Sequence, residues 1–179
     1  DDLTASLCNA AGNTLDLNTL LSGNTIAGTW AETTASTQFT VGTGVFDASS
    51  LTAGTYNFIY YVTNAAPCTN DTADFTVTVT ALDDPTFTYA DFCAGSNGVS
   101  GAPTTAGGTY SFNPDIGDGS SIDVNTGAIT NAQAGAAYNV QYLTPAGLCR
   151  DSLTLVVNVG TPVDAGTDGA LTTCNTAGT

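Results

Sequence analysis

The chain of 179 residues has no histidine and no methionine, and Arg150 is its only basic side chain. Without His or Lys, the usual nucleophile–base pairs of hydrolases and transferases cannot be assembled. The lack of Lys also excludes Lys–Asn isopeptide cross-links. No Cys-x-x-Cys pair is present to build a zinc site in place of the missing His. Positive charge is almost absent: 16 acidic residues against one Arg give a net charge of −15 at pH 7. Such a surface repels nucleic acid and anionic membranes. No run approaches the roughly 18–20 apolar residues of a membrane span, which argues against direct membrane insertion. No secretory leader opens the sequence, as expected where one has been cleaved or lies far upstream.

What is present is Thr, Ala, Gly, Asn and Asp, with 42% hydrophobic residues, enough for packed cores. Five cysteines in a Lys-free, Thr/Asn-rich chain point to an oxidising, extracellular setting. Their positions follow a repeat. The stretch LTAGTYNFIYYVTNAAPCTNDTADFTVTVT (51–80) lies over NAQAGAAYNVQYLTPAGLCRDSLTLVVNVG (131–160). Each reads Ala-Gly, a Tyr, an alternating strand, Pro and Cys, an acid with a hydroxyl residue, then a second alternating strand. Upstream, GTW (28–30) matches GTY (108–110), GTGVFDASS (42–50) matches NTGAITNAQ (125–133), and SLC (6–8) matches DFC (91–93). TTC (172–174) opens a third copy. The period of about 81 residues describes an array of modules and not a solenoid. It predicts boundaries at 1–82 and 83–162, with 163–179 beginning a truncated third repeat.

The apolar period is two throughout. Tyr56, Phe58 and Tyr60 alternate with Asn57 and Ile59, and Tyr138, Val140 and Tyr142 alternate with Asn139 and Gln141. Strands of this kind bury one face and wet the other. NTLDLNTLL (13–21) is the one stretch that could be helical, and it reads equally well as a strand. About seven short strands per module, divided by Gly, Asn, Asp and Pro, predict an all-β fold of tandem immunoglobulin-like Greek-key β-sandwiches, with one disulfide per repeat.

Cys8 and Cys68 stand 60 positions apart and Cys93 and Cys149 stand 56 apart, while Cys68–Cys93 and Cys149–Cys174 are both 25 apart. The constant 25 holds one strand, one linker and one first strand, and an extended strand of ten residues covers roughly 33 Å. A disulfide needs Cα atoms within about 7 Å. The hairpin before the last strand is expected near the start of the first strand, which predicts Cys8–Cys68 and Cys93–Cys149. Cys174 is then unpaired, its partner lying beyond Thr179 in a longer chain.

Other candidates are weaker. Asp115, Asp118 and Asp123 crowd NPDIGDGSSID (113–123), but loop acids are more often solvated than catalytic. Asp83, Asp84 and Asp91 in one linker, and Asp164 and Asp168 in the next, put carboxylates at module junctions where calcium is the one cofactor they could serve. The simpler reading is exposed acids that keep a stalk in solution. Trp30 and Tyr110, each after Gly-Thr, could stack on a sugar if exposed; on an early sandwich strand such rings are usually core. Tyr56 and Tyr138 suit the tyrosine that pins a sandwich corner by bonding backbone.

The two long stretches quoted above, with the linker TPVDAGTDGALTTC (161–174), resemble the tandem repeats of giant Bacteroidota surface adhesins of the SprB gliding-motility type. The resemblance covers both repeats and the stub. It implies type IX secretion, attachment at the outer-membrane surface through regions elsewhere, and movement by the gliding machinery. It also implies glycosylation at Asp, then Ser or Thr, then an apolar residue, which places glycans on Thr72 and Ser152 at the start of the last strand. A glycan there would shield an edge strand. The leading function is therefore a non-catalytic stalk whose partners are neighbouring repeats of the same chain. The alternatives are a carbohydrate- or calcium-dependent module that contacts surface polysaccharide or substratum, and a subunit of a surface filament.

Overall fold

A computed structural model describes residues 3–22, 27–64 and 66–163 of the chain. The chain folds as two compact units, Asp1–Leu82 and Asp83–Thr179. Among the described residues there is no α-helix; the only helical turn is a 3-10 turn over Leu17–Leu20.

The first unit holds β1 (Leu3–Cys8), β2 (Thr14–Asp16), β3 (Thr29–Glu32), β4 (Phe39–Thr40), β5 (Val45–Asp47), β6 (Gly54–Val62) and β7 (Asp71–Thr80). They form a four-stranded sheet, β1-β7-β6-β3, and a three-stranded sheet, β2-β5-β4. The first four strands alternate between the sheets, β1 and β3 in the first and β2 and β4 in the second, while β4–β5 and β6–β7 pair within one sheet. This is the Greek-key connectivity of an immunoglobulin-like sandwich. The ambiguous stretch at 13–21 resolves into both readings, strand β2 followed by the 3-10 turn.

Alternation decides which residues meet between the sheets. Along β6 and β7 the side chains of Tyr56, Phe58, Tyr60, Phe75, Val77 and Val79 are buried. From the other side come Phe46 of β5 and Leu17 of the 3-10 turn, both at 0% exposure. The core is aromatic, with Trp30 centred 4.9 Å from Tyr60 and 4.8 Å from Phe75, and Phe46 5.0 Å from Phe58. Tilted and edge-on rings at these distances add directional attraction to burial.

The second unit holds β8 (Phe92–Cys93), β9 (Thr109–Phe112), β10 (Ser121–Ile122), β11 (Ile129–Thr130), β12 (Ala137–Leu143) and β13 (Ser152–Gly160). Its main sheet runs β8-β13-β12-β9, the same plan, and β10-β11 is the second sheet. Tyr138, Val140, Tyr142, Val157 and Val159 are buried along β12 and β13. Where β7 supplies Phe75, β13 offers the smaller Leu155, and Phe87 brings a ring from the segment before β8, 5.5 Å from Tyr110.

The two Gly-Thr-aromatic triplets share one packing reason. A Cβ on Gly28 would sit 2.6 Å from the Tyr60 ring, and one on Gly108 would strike Leu143 O and the Tyr142 ring. The glycine N–H donates to the tyrosine hydroxyl in both, Gly28 to Tyr60 at 2.6 Å and Gly108 to Tyr142 at 2.8 Å. Only glycine lets the strand's start lie on that ring.

In both units the first and last strands are neighbours and run parallel. β1 pairs with β7 from Leu3↔Phe75 to Cys8↔Thr80, and β8 pairs with β13 at Phe92↔Val159 and Cys93↔Gly160. So β7 lies between β1 and β6 and is not an edge strand, contrary to the sequence expectation.

Candidate functional site

The parallel pairing overturns both predicted disulfides. Cys8 sits at the end of β1 opposite Thr80, whereas Cys68 precedes the start of β7 at Asp71. The ten residues of β7 therefore separate them by roughly 30 Å at about 3.3 Å per residue. Likewise Cys93 lies opposite Gly160 while Cys149 precedes Ser152, with the nine residues of β13 between. A disulfide cannot span a strand's length. The sequence reading expected each first-strand cysteine beside the hairpin before the last strand, but the parallel register places Cys8 and Cys93 at the far end of that strand. The observed states agree with this geometry: Cys68 is a free, exposed thiol, while Cys8, Cys93 and Cys149 are disulfide-bonded. Cys174, expected to be unpaired, lies outside the described residues.

Each cysteine position is held by backbone contacts. Asn9, next to Cys8, donates its N–H to Thr80 O at 3.0 Å, and its Oδ1 accepts the Leu82 N–H at 2.9 Å. Asp83 donates its N–H to the Cys149 carbonyl at 2.9 Å. The hairpin carrying Cys149 is braced by Thr144, which is fully buried and whose hydroxyl accepts the Asp151 N–H at 2.9 Å. Arg150 Nε donates to Thr144 O at 2.8 Å. The chain's only cation thus pins a hairpin, a role the sequence did not signal.

The corner tyrosines behave as expected. Tyr56 Oη donates to Thr52 O at 2.9 Å, four residues back. Tyr138 Oη accepts the Gln133 N–H at 2.9 Å and donates to Asp118 Oδ2 at 2.6 Å. Trp30 and Tyr110 are each 4% exposed, which places them in the cores and away from any sugar. Trp30 Nε1 reaches Asn18 Oδ1 at 2.9 Å.

The acids at 113–123 cap turns. Asp115 accepts from the Gly117 N–H, Asp118 from Ser120, and Asp123 from both Asn125 and Thr126. The N–H and hydroxyl of Thr126, then the N–H of Asn125, hold the Asp123 carboxyl below its usual range. The linker acids do not converge either. Asp83 lies beside Cys149, Asp84 Oδ1 accepts the Thr86 N–H, and Asp91 accepts the N–H of Asn158, well along β13. Ser152 and Asn158 alone are separated by roughly 20 Å of strand. Among the described residues no group of three or more His, Cys, Asp or Glu side chains could hold a metal ion. Asp164 and Asp168 lie outside the described residues.

Thr72 and Ser152 are exposed, one at the second residue of β7 and the other at the first of β13. Ser152 Oγ accepts a long 3.4 Å hydrogen bond from Gln141 Nε2. No helix among the described residues is long and apolar enough to cross a membrane.

Sheet order, inward alternation and the pinned corner make this an all-β, immunoglobulin-like fold with disulfide-bonded cysteines. No family model and no curated protein matches the chain. Solved structures with a similar fold include a SusE-like, surface-located polysaccharide-binding protein from the Bacteroides thetaiotaomicron heparin utilisation locus. It is 15% identical, with a TM-score of 0.37, over 90% of this chain and 33% of that one. A Drosophila N-cadherin fragment is 14% identical, with a TM-score of 0.37, over 89% of this chain and 47% of that one. A human protocadherin-24 fragment is 16% identical, also at 0.37, over 91% of this chain and 95% of that one. The chain spans less than half the length of the first two, and likenesses this distant carry no argument about a ligand.

Proposed function

We propose that these units are non-catalytic, load-bearing stalk modules of a large extracellular surface protein that projects or forms adhesive contacts. One observation carries the reading: the first and last strands of each unit are parallel neighbours. A pull on the two chain ends of a unit then draws β1 and β7 past one another along their length. The ladder bonds between them are loaded together, where a peeling geometry would break them one at a time. The candidate acids Asp115, Asp118 and Asp123 cap turns, and the candidate rings of Trp30 and Tyr110 lie in the cores. The resemblance to Bacteroidota gliding adhesins supports surface attachment and gliding as the setting.

The competing reading, a glycan-binding module, loses its two aromatic candidates to the cores. A glycan array run with and without calcium is the test. The stalk reading expects no saturable binding by the 179-residue chain in either condition, and specific, saturable binding would overturn it.

A further inference from the structure

We propose that Cys68 is a covalent attachment point for another copy of this repeat, through a disulfide to the cysteine that ends that copy's first strand. The inference rests on the reading of the chain as part of a longer array.

Cys68 lies in the β6–β7 hairpin, exposed and free. Around it, Asn64 donates its N–H to Asn70 Oδ1 at 2.9 Å and its side-chain amide to Thr69 O at 2.8 Å. The second unit supplies an independent observation. Cys149 occupies the matching β12–β13 hairpin, also three positions before its last strand, and it is disulfide-bonded. Its own first-strand cysteine, Cys93, stands at the far end of β13, so that bond is not made to Cys93. A hairpin cysteine of this fold is therefore bonded by a cysteine other than its own sandwich's first-strand one.

The backbone contacts indicate where the partner comes from. In the second unit the hairpin cysteine sits where the chain comes in, since the Asp83 N–H donates to the Cys149 carbonyl. In the first unit the end of β1 sits where the chain goes out, since Asn9, after Cys8, accepts the Leu82 N–H. Each sandwich thus carries a first-strand cysteine at its trailing end and a hairpin cysteine at its leading end. By the same plan Cys68 stands at the leading end of the first unit, ahead of Asp71 at the start of β7 and seven positions before Phe75, which pairs with Leu3. The cysteine suited to reach it is the trailing one of a copy that precedes Leu3 in the same polypeptide. In the bond-forming step the two thiols lose two protons and two electrons, and a disulfide-class oxidant takes them up and leaves as the dithiol.

The experiment is peptide mapping of the full-length protein from its native surface, alkylated with iodoacetamide before any reduction. Within these 179 residues trypsin can cut only after Arg150, so pepsin is the suitable protease, and its acid pH suppresses disulfide exchange. The expected product is a Cys68 peptide joined to a strand peptide ending in Cys from another copy, with polypeptide mass unchanged on reduction. An alkylated Cys68 in the native protein, or a bond to a separate polypeptide whose release lowers the mass, would overturn the proposal. A free Cys68 leaves the stalk reading standing, whereas saturable glycan binding removes that reading and leaves the Cys68 result unaffected.

Discussion

Replacing Tyr56 and Tyr138 by Phe, one at a time, separates what the corner hydroxyl does in each unit. The ring stays in both variants, so packing is conserved and only hydrogen bonds are lost. Tyr56→Phe deletes one bond, from Oη to Thr52 O at 2.9 Å, by a side chain only 8% exposed. A neutral, largely buried hydrogen bond contributes about 1 kcal/mol, and in a domain of roughly 80 residues each kcal/mol moves the melting temperature by about 4–8 °C. Tyr138→Phe loses more, because it leaves the Gln133 N–H without its acceptor and Asp118 without a 2.6 Å donor, beneath a ring only 1% exposed. Urea unfolding of the 179-residue chain, followed by near-ultraviolet circular dichroism, should show both variants destabilised at unchanged slope, Tyr138→Phe the more so. A Tyr138→Phe variant as stable as wild type, or less affected than Tyr56→Phe, would refute the reasoning.

Acid stability should depend on the turn carboxylates. The Asp123 carboxyl is held below its ordinary range, so its contribution is present above about pH 4 and is lost as pH falls through the folded-state value. Asp123→Asn keeps an acceptor oxygen without the proton, so its melting temperature should fall less between pH 7 and pH 3 than that of wild type; an equal fall would refute this. Because Asp83, Asp84 and Asp91 do not converge, a chelator should leave the melting temperature unchanged, and a drop would restore a calcium site there. Glycans on the exposed Thr72 and Ser152, a proposal that rests on the adhesin resemblance, should add mass to the native protein. An intact mass equal to the bare polypeptide less its disulfide hydrogens would remove both sites.

Much of the fold was legible because alternation is a local property. Tyr56, Phe58 and Tyr60 announce an inward face whatever lies opposite, and Trp30 and Tyr110 were readable as core because an aromatic on an early sandwich strand rarely faces water. The glycines of GTW and GTY were visible as a repeated pattern, but their reason, a tyrosine ring from a strand some 32–34 positions away, was not. Strand direction was the costly omission. An alternating strand reads the same whether its neighbour runs with it or against it, so nothing in SLC or DFC reveals at which end of β7 or β13 its cysteine will lie. Placing Cys8 and Cys93 at the wrong ends produced the two mistaken disulfides. Arg150 gave no signal either, since its partner is the backbone carbonyl of Thr144.

The load-bearing role is tested most directly by pulling single chains by their ends under reducing conditions, so that no disulfide shortens the released length. Two separate unfolding steps are expected, each releasing the length of about 80 residues, up to roughly 290 Å at about 3.6 Å per residue less the folded size. The steps should differ in force. Six residue pairs join β1 to β7, Leu3–Cys8 against Phe75–Thr80, whereas two join β8 to β13, so the first unit should resist the higher force. A smooth extension without force peaks, or one in which both units yield at the low force of a peeled strand, would contradict the account.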